Sequence, residues 1–274
     1  MLHVNKQFIR LSSRYCMQNC ATQRRHTKVA TIQRKRYFTA HNDSDDRFPY
    51  KQPPSRLGTG HPSLSSFLKA AGNGETNVAK EVELSTLIIL TNITERKLLL
   101  GKKLRGFGTG KYNGFGGLES QEIDQTPAHG AQRELLEEAN LAIDLDEFIK
   151  VGNLSFTFQD RENIEMLVHL FHVNVDFNDV GSKNGDTFIR TIINPDTIQA
   201  CDEMIPEWFD WREVPFDKMF ADDSIWLTYF LSTLDDASCN TRNGNVSSPK
   251  MNGWFHFAPG GDGNNRILHY FLDT

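Results

Sequence analysis

The chain has 274 residues, 38% hydrophobic and 24% charged, with a formal net charge of −5, enough for one domain of ordinary size plus tails. The charge is uneven: residues 1–41 hold nine Lys or Arg and no acid, which leaves 21 basic against 35 acidic residues in the remainder. A body that acidic is excluded as a general nucleic-acid binder, because phosphate backbones are held by summed positive charge, and no stretch reaches the apolar length of a membrane helix.

The basic, acid-free, hydroxyl-containing start reads as a mitochondrial transit peptide over 1–41. Phe8, Ile9 and Leu11 form its apolar cluster, and Arg36-Tyr-Phe-Thr39 is similar to a matrix-protease cleavage site. A basic arm is the plainer alternative. Residues 42–82 are rich in Asp, Ser, Pro and Gly and read as a disordered linker with one short helix near 64–71. The four cysteines, Cys16, Cys20, Cys201 and Cys239, show neither a Cys-x-x-Cys pair nor a disulfide framework.

A folded domain is expected over 83–274. Its first strands are the apolar run Thr86-Leu-Ile-Ile-Leu90 and residues 97–104. A helix follows at 127–139, because Thr126 can cap it, Pro127 suits a first turn and Asn140 suits the left-handed residue after the end. Strands are expected at 149–159 and 164–175, the second with Met166, Val168, Leu170 and His172 alternating on one side. Another is expected at 207–213. The stripe Ile225, Trp226, Tyr229 and Phe230 predicts a helix over 222–234. Residues 235–250 read as a flexible polar insertion. Strands at 254–257 and 267–272 flank Pro259-Gly-Gly-Asp-Gly263, a hairpin signal. Strands alternating with two helices give an α/β fold, an α/β/α sandwich around a mixed sheet.

The chemistry concentrates in Arg133-Glu-Leu-Leu-Glu-Glu138. On a helix Glu134, Glu137 and Glu138 share one face, where three like charges repel. A cation between them removes the conflict, and an all-oxygen set suits Mg²⁺ or Mn²⁺. A Glu-rich face is usually a solvated surface. Here the glycine-rich turn Asn113-Gly-Phe-Gly-Gly117 and the defined helix caps weigh against that.

From Gly117 to Leu141 these residues resemble a Nudix box, Gly-x5-Glu-x7-Arg-Glu-U-x-Glu-Glu-x-Gly-U, with U a bulky aliphatic. Gln125 stands where that pattern has its first Glu, the loop is two residues longer, and Asn140 replaces the last Gly. Glu122 could take over the bracing role of the missing Glu if the longer loop bends back. The similarity extends over about 84–274 to the eukaryotic MutT-like branch that hydrolyses oxidised purine nucleoside triphosphates. It is carried by residues 101–117, Asp202-Glu-Met204, Pro215-Phe-Asp-Lys-Met219 and Asp222-Asp-Ser-Ile-Trp226.

The resemblance implies the Nudix α/β/α sandwich and a Mg²⁺-dependent (or Mn²⁺-dependent) pyrophosphohydrolase. Its substrates would be 8-oxo-dGTP and 2-hydroxy-dATP, cut to monophosphate and pyrophosphate to cleanse the nucleotide pool. Glu134, Glu137, Glu138 and Glu203 would be its metal-site acids, one of them left as general base, with Arg133 orienting them. Lys103 would face the phosphates. Thr86, Asn113, Phe156, Met204, Phe220, Asp222 and Asp223 would meet the base, with Tyr112, Phe158 and Trp226 as further walls. Tyr112 and Phe220 stand where the branch carries Trp. Two close carboxylates tend to share a proton, so Asp222 and Asp223 could together donate to and accept from a purine edge; a helix-capping pair is the alternative.

Two rival functions remain. One is Nudix hydrolysis of another nucleotide: a methylated purine, a dinucleotide or a cap. The other is a non-catalytic Nudix binding module, for which Gln125 and the longer loop speak. The partner is expected to be a small-molecule nucleotide rather than nucleic acid or membrane, and the protein a monomer. The mitochondrial matrix is the expected location, with the cytoplasm as a second.

A reporter fused behind residues 1–41 should enter mitochondria, and the mature chain should begin close to Thr39. Recovery of only uncleaved, cytosolic chain would refute the targeting reading.

Overall fold

In the computed structural model the apolar run near residue 86 lies in the middle of a sheet. The model describes residues 58–72, 81–177, 191–240, 247–260 and 265–274; the transit-peptide expectation and most of the linker fall outside them. Among the described residues, ten strands form the architecture: β1 Thr59–Gly60, β2 Glu81–Asn92, β3 Lys97–Lys103, β4 Tyr112–Asn113, β5 Ile149–Phe158, β6 Arg161–Asp176, β7 Thr191–Ile192, β8 Met204–Asp210, β9 Met251–Phe257 and β10 Ile267–Asp273. The helices are α1 Leu64–Ala70, α2 Pro127–Ala139 and α3 Asp223–Asn240.

The sheet runs β1-β10-β9-β5-β6-β2-β3-β4, with β8 also on β3 and β7 on the end of β6. It is mixed. β2 lies parallel to β6 from Glu81 opposite Ile164 to Thr91 opposite Asn174, and β5 is antiparallel to β6 and parallel to β9. A strand covered on both faces needs apolar residues on both, and β2 supplies them by parity. Ile89, with Leu87 at its edge, packs into a core with Trp226, Leu227, Phe230, Leu231 and Leu234 of α3. Ile88 and Leu90 pack into a second core with Ala131, Leu135 and Ala139 of α2. The two helices therefore cover opposite faces, which is the expected α/β/α sandwich.

Local chemistry fixes the ends of α2. The Thr126 hydroxyl accepts from the His129 amide at 3.4 Å, Pro127 opens the first turn, and Asn140 closes it at φ 54°. Three expectations need correction. First, α3 continues to Asn240, into residues read as a flexible insertion, and Arg96 pairs with Asp235 at 2.7 Å on that added turn. Second, the strand expected at 207–213 is shifted back. β8 ends at Asp210, whose carboxylate accepts from the Arg212 amide at 3.0 Å and starts a 3₁₀ turn that buries Trp211. Third, residues 58–72 belong to the fold rather than to a disordered linker. β1 pairs in parallel with His269 and Tyr270 of β10, and α1, the short helix expected near 64–71, buries Phe67. No helix among the described residues is long and apolar enough to cross a membrane.

His172 of β6 is buried between the Thr91 hydroxyl at 2.8 Å and the Ser248 hydroxyl at 2.6 Å, with the Phe230 ring edge-on at 5.2 Å. Burial pushes its pKa down to about 3. The folded state therefore keeps it neutral while an unfolded histidine, with pKa about 6.5, takes up a proton. Its contribution to stability is present above about pH 6.5 and is lost as pH falls toward 3. His172→Gln should cost about 1–2 kcal/mol at pH 7.5 and flatten the decline in melting temperature between pH 6.5 and 4. A decline as steep as the parent's would show that another group carries it.

Candidate active site

The glycine run ahead of α2 folds onto the sheet because its backbone replaces a strand. The Ile88 amide donates to the Phe115 carbonyl at 2.7 Å, and the Thr86 amide to the Gly117 carbonyl at 2.9 Å. Gly116 adopts φ 144° with its Cα against the Thr86 carbonyl, where a side chain would collide. At Gly117 a Cβ would meet Glu134 Oε1 at 2.7 Å. The missing side chain lets the Glu134 carboxylate lie against the backbone.

Arg133 ties loop to helix. Its Nε and Nη2 donate to the two oxygens of Asp124 at 3.1 and 3.0 Å, a bidentate pair with charge-assisted geometry. Its Nη1 donates to Glu134 at 2.7 Å and to Glu137 at 3.2 Å. Asp124 also accepts from the Ser120 amide at 2.9 Å. The guanidinium beside it holds the Asp124 carboxyl below the usual carboxylate range, and Asp124 in turn raises Arg133. This corrects the expectation for the loop brace: Asp124 takes that place, while Glu122 and Gln125 are exposed. The signal in the sequence was an acid one residue from Gln125 in a loop of altered length.

The acids differ sharply in environment. Glu138 is buried, accepts from the Gly116 amide at 2.9 Å, and is pushed up to about 7, chiefly by burial, with Lys103 opposing. Glu134 is half-buried and raised by burial, against the pull of Arg133. The charge of Glu203 adds to the rise at both, which puts it in the same cluster. Glu203 itself is bound by Arg105 at 3.1 Å. Glu137 is exposed on the outer side of the helix. The donor chemistry, oxygen acids that repel one another, fits a hard divalent cation. Among the described residues, no three acids, histidines or cysteines are drawn together as a closed ligand set.

On the other face lies a narrow cleft lined by Leu87, Asn113, Met219, Asp223, Trp226 and Leu227, with a cavity volume of about 10 Å³. Asp222 and Asp223 are both buried. Asp222 accepts from the Trp226 indole at 3.0 Å and Asp223 from the Phe220 amide at 3.0 Å. Asp223 stands in the first turn of α3, and its carboxylate reaches back to the Phe220 amide rather than forward into the helix. Burial pushes both upward, and the Asp222 charge pushes Asp223 further. A pair in that position retains a proton.

The remaining expected residues fall at several places around the sheet. Asn113 lines the cleft. Phe220 follows Met219 of the cleft lining and stacks on Phe107 at 5.6 Å; Phe107 was not singled out from sequence. Phe156 stacks on Phe255 at 5.7 Å, on the cleft's side of the sheet. Phe158 is buried with Arg161 over its ring at 4.2 Å. Tyr112 donates to Glu207 at 2.8 Å and sets its ring against Phe209. Thr86 and Met204 stand on the opposite face. Thr86 shares the parity of Ile88, and Met204 packs against Gly101 and Phe115.

No protein-family model matches the chain. It is 36% identical over 149 residues to the oxidized purine nucleoside triphosphate hydrolase of Danio rerio, covering 54% of this chain and 80% of that protein. It is also 36% identical over 151 residues to the oxidized purine nucleoside triphosphate hydrolase of Mus musculus, covering 54% and 79%. Among solved structures, a MutT protein from Bacillus halodurans is similar at a TM-score of 0.45 and 18% identity, over 70% of this chain and 97% of that one.

Asp124→Asn should lower stability by about 1–3 kcal/mol, since Arg133 then loses a charged partner. Because the Asp124 pKa is depressed, this contribution is present above the ordinary Asp range and fades as pH falls through the folded value. Glu122→Gln should stay within about 0.5 kcal/mol of the parent. Equal losses in the two variants, measured by denaturant unfolding at pH 7, would remove Asp124 from the bracing role.

Proposed function

The chain belongs to the Nudix hydrolase family, and from that premise we propose that it hydrolyses oxidised purine nucleoside triphosphates, such as 8-oxo-dGTP and 2-hydroxy-dATP, to the monophosphate and pyrophosphate with Mg²⁺ or Mn²⁺. The observation that carries the substrate is the buried Asp222–Asp223 pair beside Asn113. Oxidation adds a donor or acceptor to a purine edge. A carboxylate pair sharing one proton offers one donor and one acceptor, and Asn113 offers both. Such a pair matches either oxidised base by moving the proton between the two acids. Both curated relatives are oxidized purine nucleoside triphosphate hydrolases, which supports the same reading.

Glu134, Glu138 and Glu203 would hold the cation, with Glu137 at the outer edge. When bound, it would supply charge neutralisation on the phosphates and acidify a water. The chain's own contributions follow from the geometry. Arg133 fixes the rotamers of Glu134 and Glu137 by two hydrogen bonds. Glu138, raised to about 7 by burial, would be held in its ionised, ligating form by the cation. Lys103 supplies positive charge beside Glu138 and would meet the phosphate chain. The cleft as it stands has room for little more than a water, so binding of a base there would require its walls to move. The mitochondrial matrix, where respiration oxidises nucleotides, is the proposed place of action.

Pyrophosphate release should depend on the divalent ion and be fastest for the oxidised purine triphosphates in a panel that includes dGTP, dATP, a methylated purine triphosphate, a dinucleotide and a cap analogue. Glu138→Gln should reduce turnover by about a hundredfold or more for every substrate. Asp223→Asn should weaken oxidised purines by about a hundredfold in kcat/KM and leave activity on non-preferred nucleotides close to the parent. A uniform drop that follows melting temperature would leave a Nudix hydrolase of some other nucleotide.

A further inference from the structure

The loop between β3 and β4 is pinned to the cleft by one charged side chain that the catalytic scheme does not use. Lys111 Nζ donates to the Met219 carbonyl at 3.0 Å and lies 5.6 Å from the centre of the Phe220 ring. The same Phe220 stacks on Phe107 of the loop at an interplanar angle of 14°, and its amide donates to Asp223 at 3.0 Å. The backbone of Lys111 is itself fixed, since its carbonyl accepts from the Lys103 amide at 2.9 Å and its amide donates to Gly108 at 2.9 Å. The ammonium thus joins three things: the loop, the Met219–Phe220 segment and the buried carboxylates that follow.

We propose that Lys111 is a positioning residue that sets base specificity, clipping the β3–β4 loop to the Met219–Asp223 segment and holding the carboxylate pair in its reading geometry. The proposal rests on the base-recognition role given above to Asp222 and Asp223. An ammonium half-buried among Phe220 and the Met219 carbonyl gives up hydration. Lys111 draws both carboxyls downward, against the larger upward push of burial. The charges acting on the pair are the partner carboxylate and Lys111; the Trp226 indole, the Phe220 amide and Asn113 are uncharged. Lys111 therefore controls where on the pH scale the shared proton leaves. Loss of that proton removes the donor on which an oxidised purine would depend.

The test uses the full chain with Lys111→Met and Lys111→Arg. Two quantities are measured: the pH dependence of kcat and KM on the nucleotide the parent hydrolyses best, and, without nucleotide, the carboxyl titration of the pair by ¹³C NMR. The pair's signals are identified from Asp222→Asn and Asp223→Asn. Lys111→Met should raise KM about tenfold with kcat within about twofold, and move both the titration midpoint and the alkaline limb of activity to higher pH. Lys111→Arg should restore all three, which a purely structural role for the side chain's bulk would not require. A Lys111→Met variant with the parent's KM, or one whose midpoint moves while KM does not, overturns the proposal. Failure of the substrate reading looks different: the parent would not prefer oxidised purines, yet Lys111→Met would still raise KM for the purine nucleotide it takes.

Discussion

Arg133 directs its guanidinium donors at Asp124, Glu134, Glu137 and the Leu118 carbonyl, and the geometry of the acidic site follows from that. The planar fork meets Asp124 with two parallel bonds and still has Nη1 for the helix acids. A lysine, a point charge with three rotatable donors, could not fix the carboxylates of a loop and a helix at once. The loop is two residues longer than the family pattern, so its brace had to be rebuilt. Asp124 rebuilds it by approaching Arg133 from the loop side and taking the Ser120 amide as a third partner. The loop's conformation and the orientation of Glu134 are therefore one property rather than two.

The second constraint is the cost of burying acids. Glu138 and the Asp222–Asp223 pair all lie deep enough for burial to dominate their pKa, and such groups persist only where hydrogen bonds or nearby cations offset the desolvation. Each is met by a backbone or indole N–H: Gly116 for Glu138, Phe220 for Asp223, Trp226 for Asp222. The compensation is partial, since all three remain raised. A fold selected for stability alone would replace these acids with apolar residues. Their burial singles out two places, one on each face of the sheet, as the ones that the proposed function uses.

How much of this was legible in the sequence depended on how local the causes were. The limits of α2 could be read because Thr126, Pro127 and Asn140 act within one turn of their own positions. The central strands could be read because period-2 alternation is a local pattern. The C-terminal turns of α3 could not: residues 235–240 are polar, and the Arg96–Asp235 pair spans 139 positions of sequence. α1 was legible as the short helix near 64–71, but β1 was missed for the same reason, since two residues become a strand only by pairing with β10 at the far end of the chain. Within the site, the Glu cluster and the Asp pair were visible as residue types. The side on which Thr86 and Met204 fall was not, because a strand's parity relative to a cleft is settled only when the sheet is assembled.

The segment from Lys103 to Gly117 connects the two acidic places. It begins with Lys103, whose charge acts on Glu138, and reaches Lys111, whose charge acts on Asp222 and Asp223. It continues through Asn113 at the cleft and ends in Gly116 and Gly117, against Glu138 and Glu134. One stretch of backbone thus carries a cation to each acidic group, and the two lysines are tied by the hydrogen bond from the Lys103 amide to the Lys111 carbonyl at 2.9 Å. A nucleotide lying across the sheet edge with its base in the cleft and its phosphates toward the carboxylates would follow this segment along its length. Gly114, Gly116 and Gly117 keep the segment close to its neighbours, and Lys103, Arg105 and Lys111 give it positive charge, so on the proposed function base reading and phosphate chemistry would be coupled through fifteen or so residues rather than through the body of the domain.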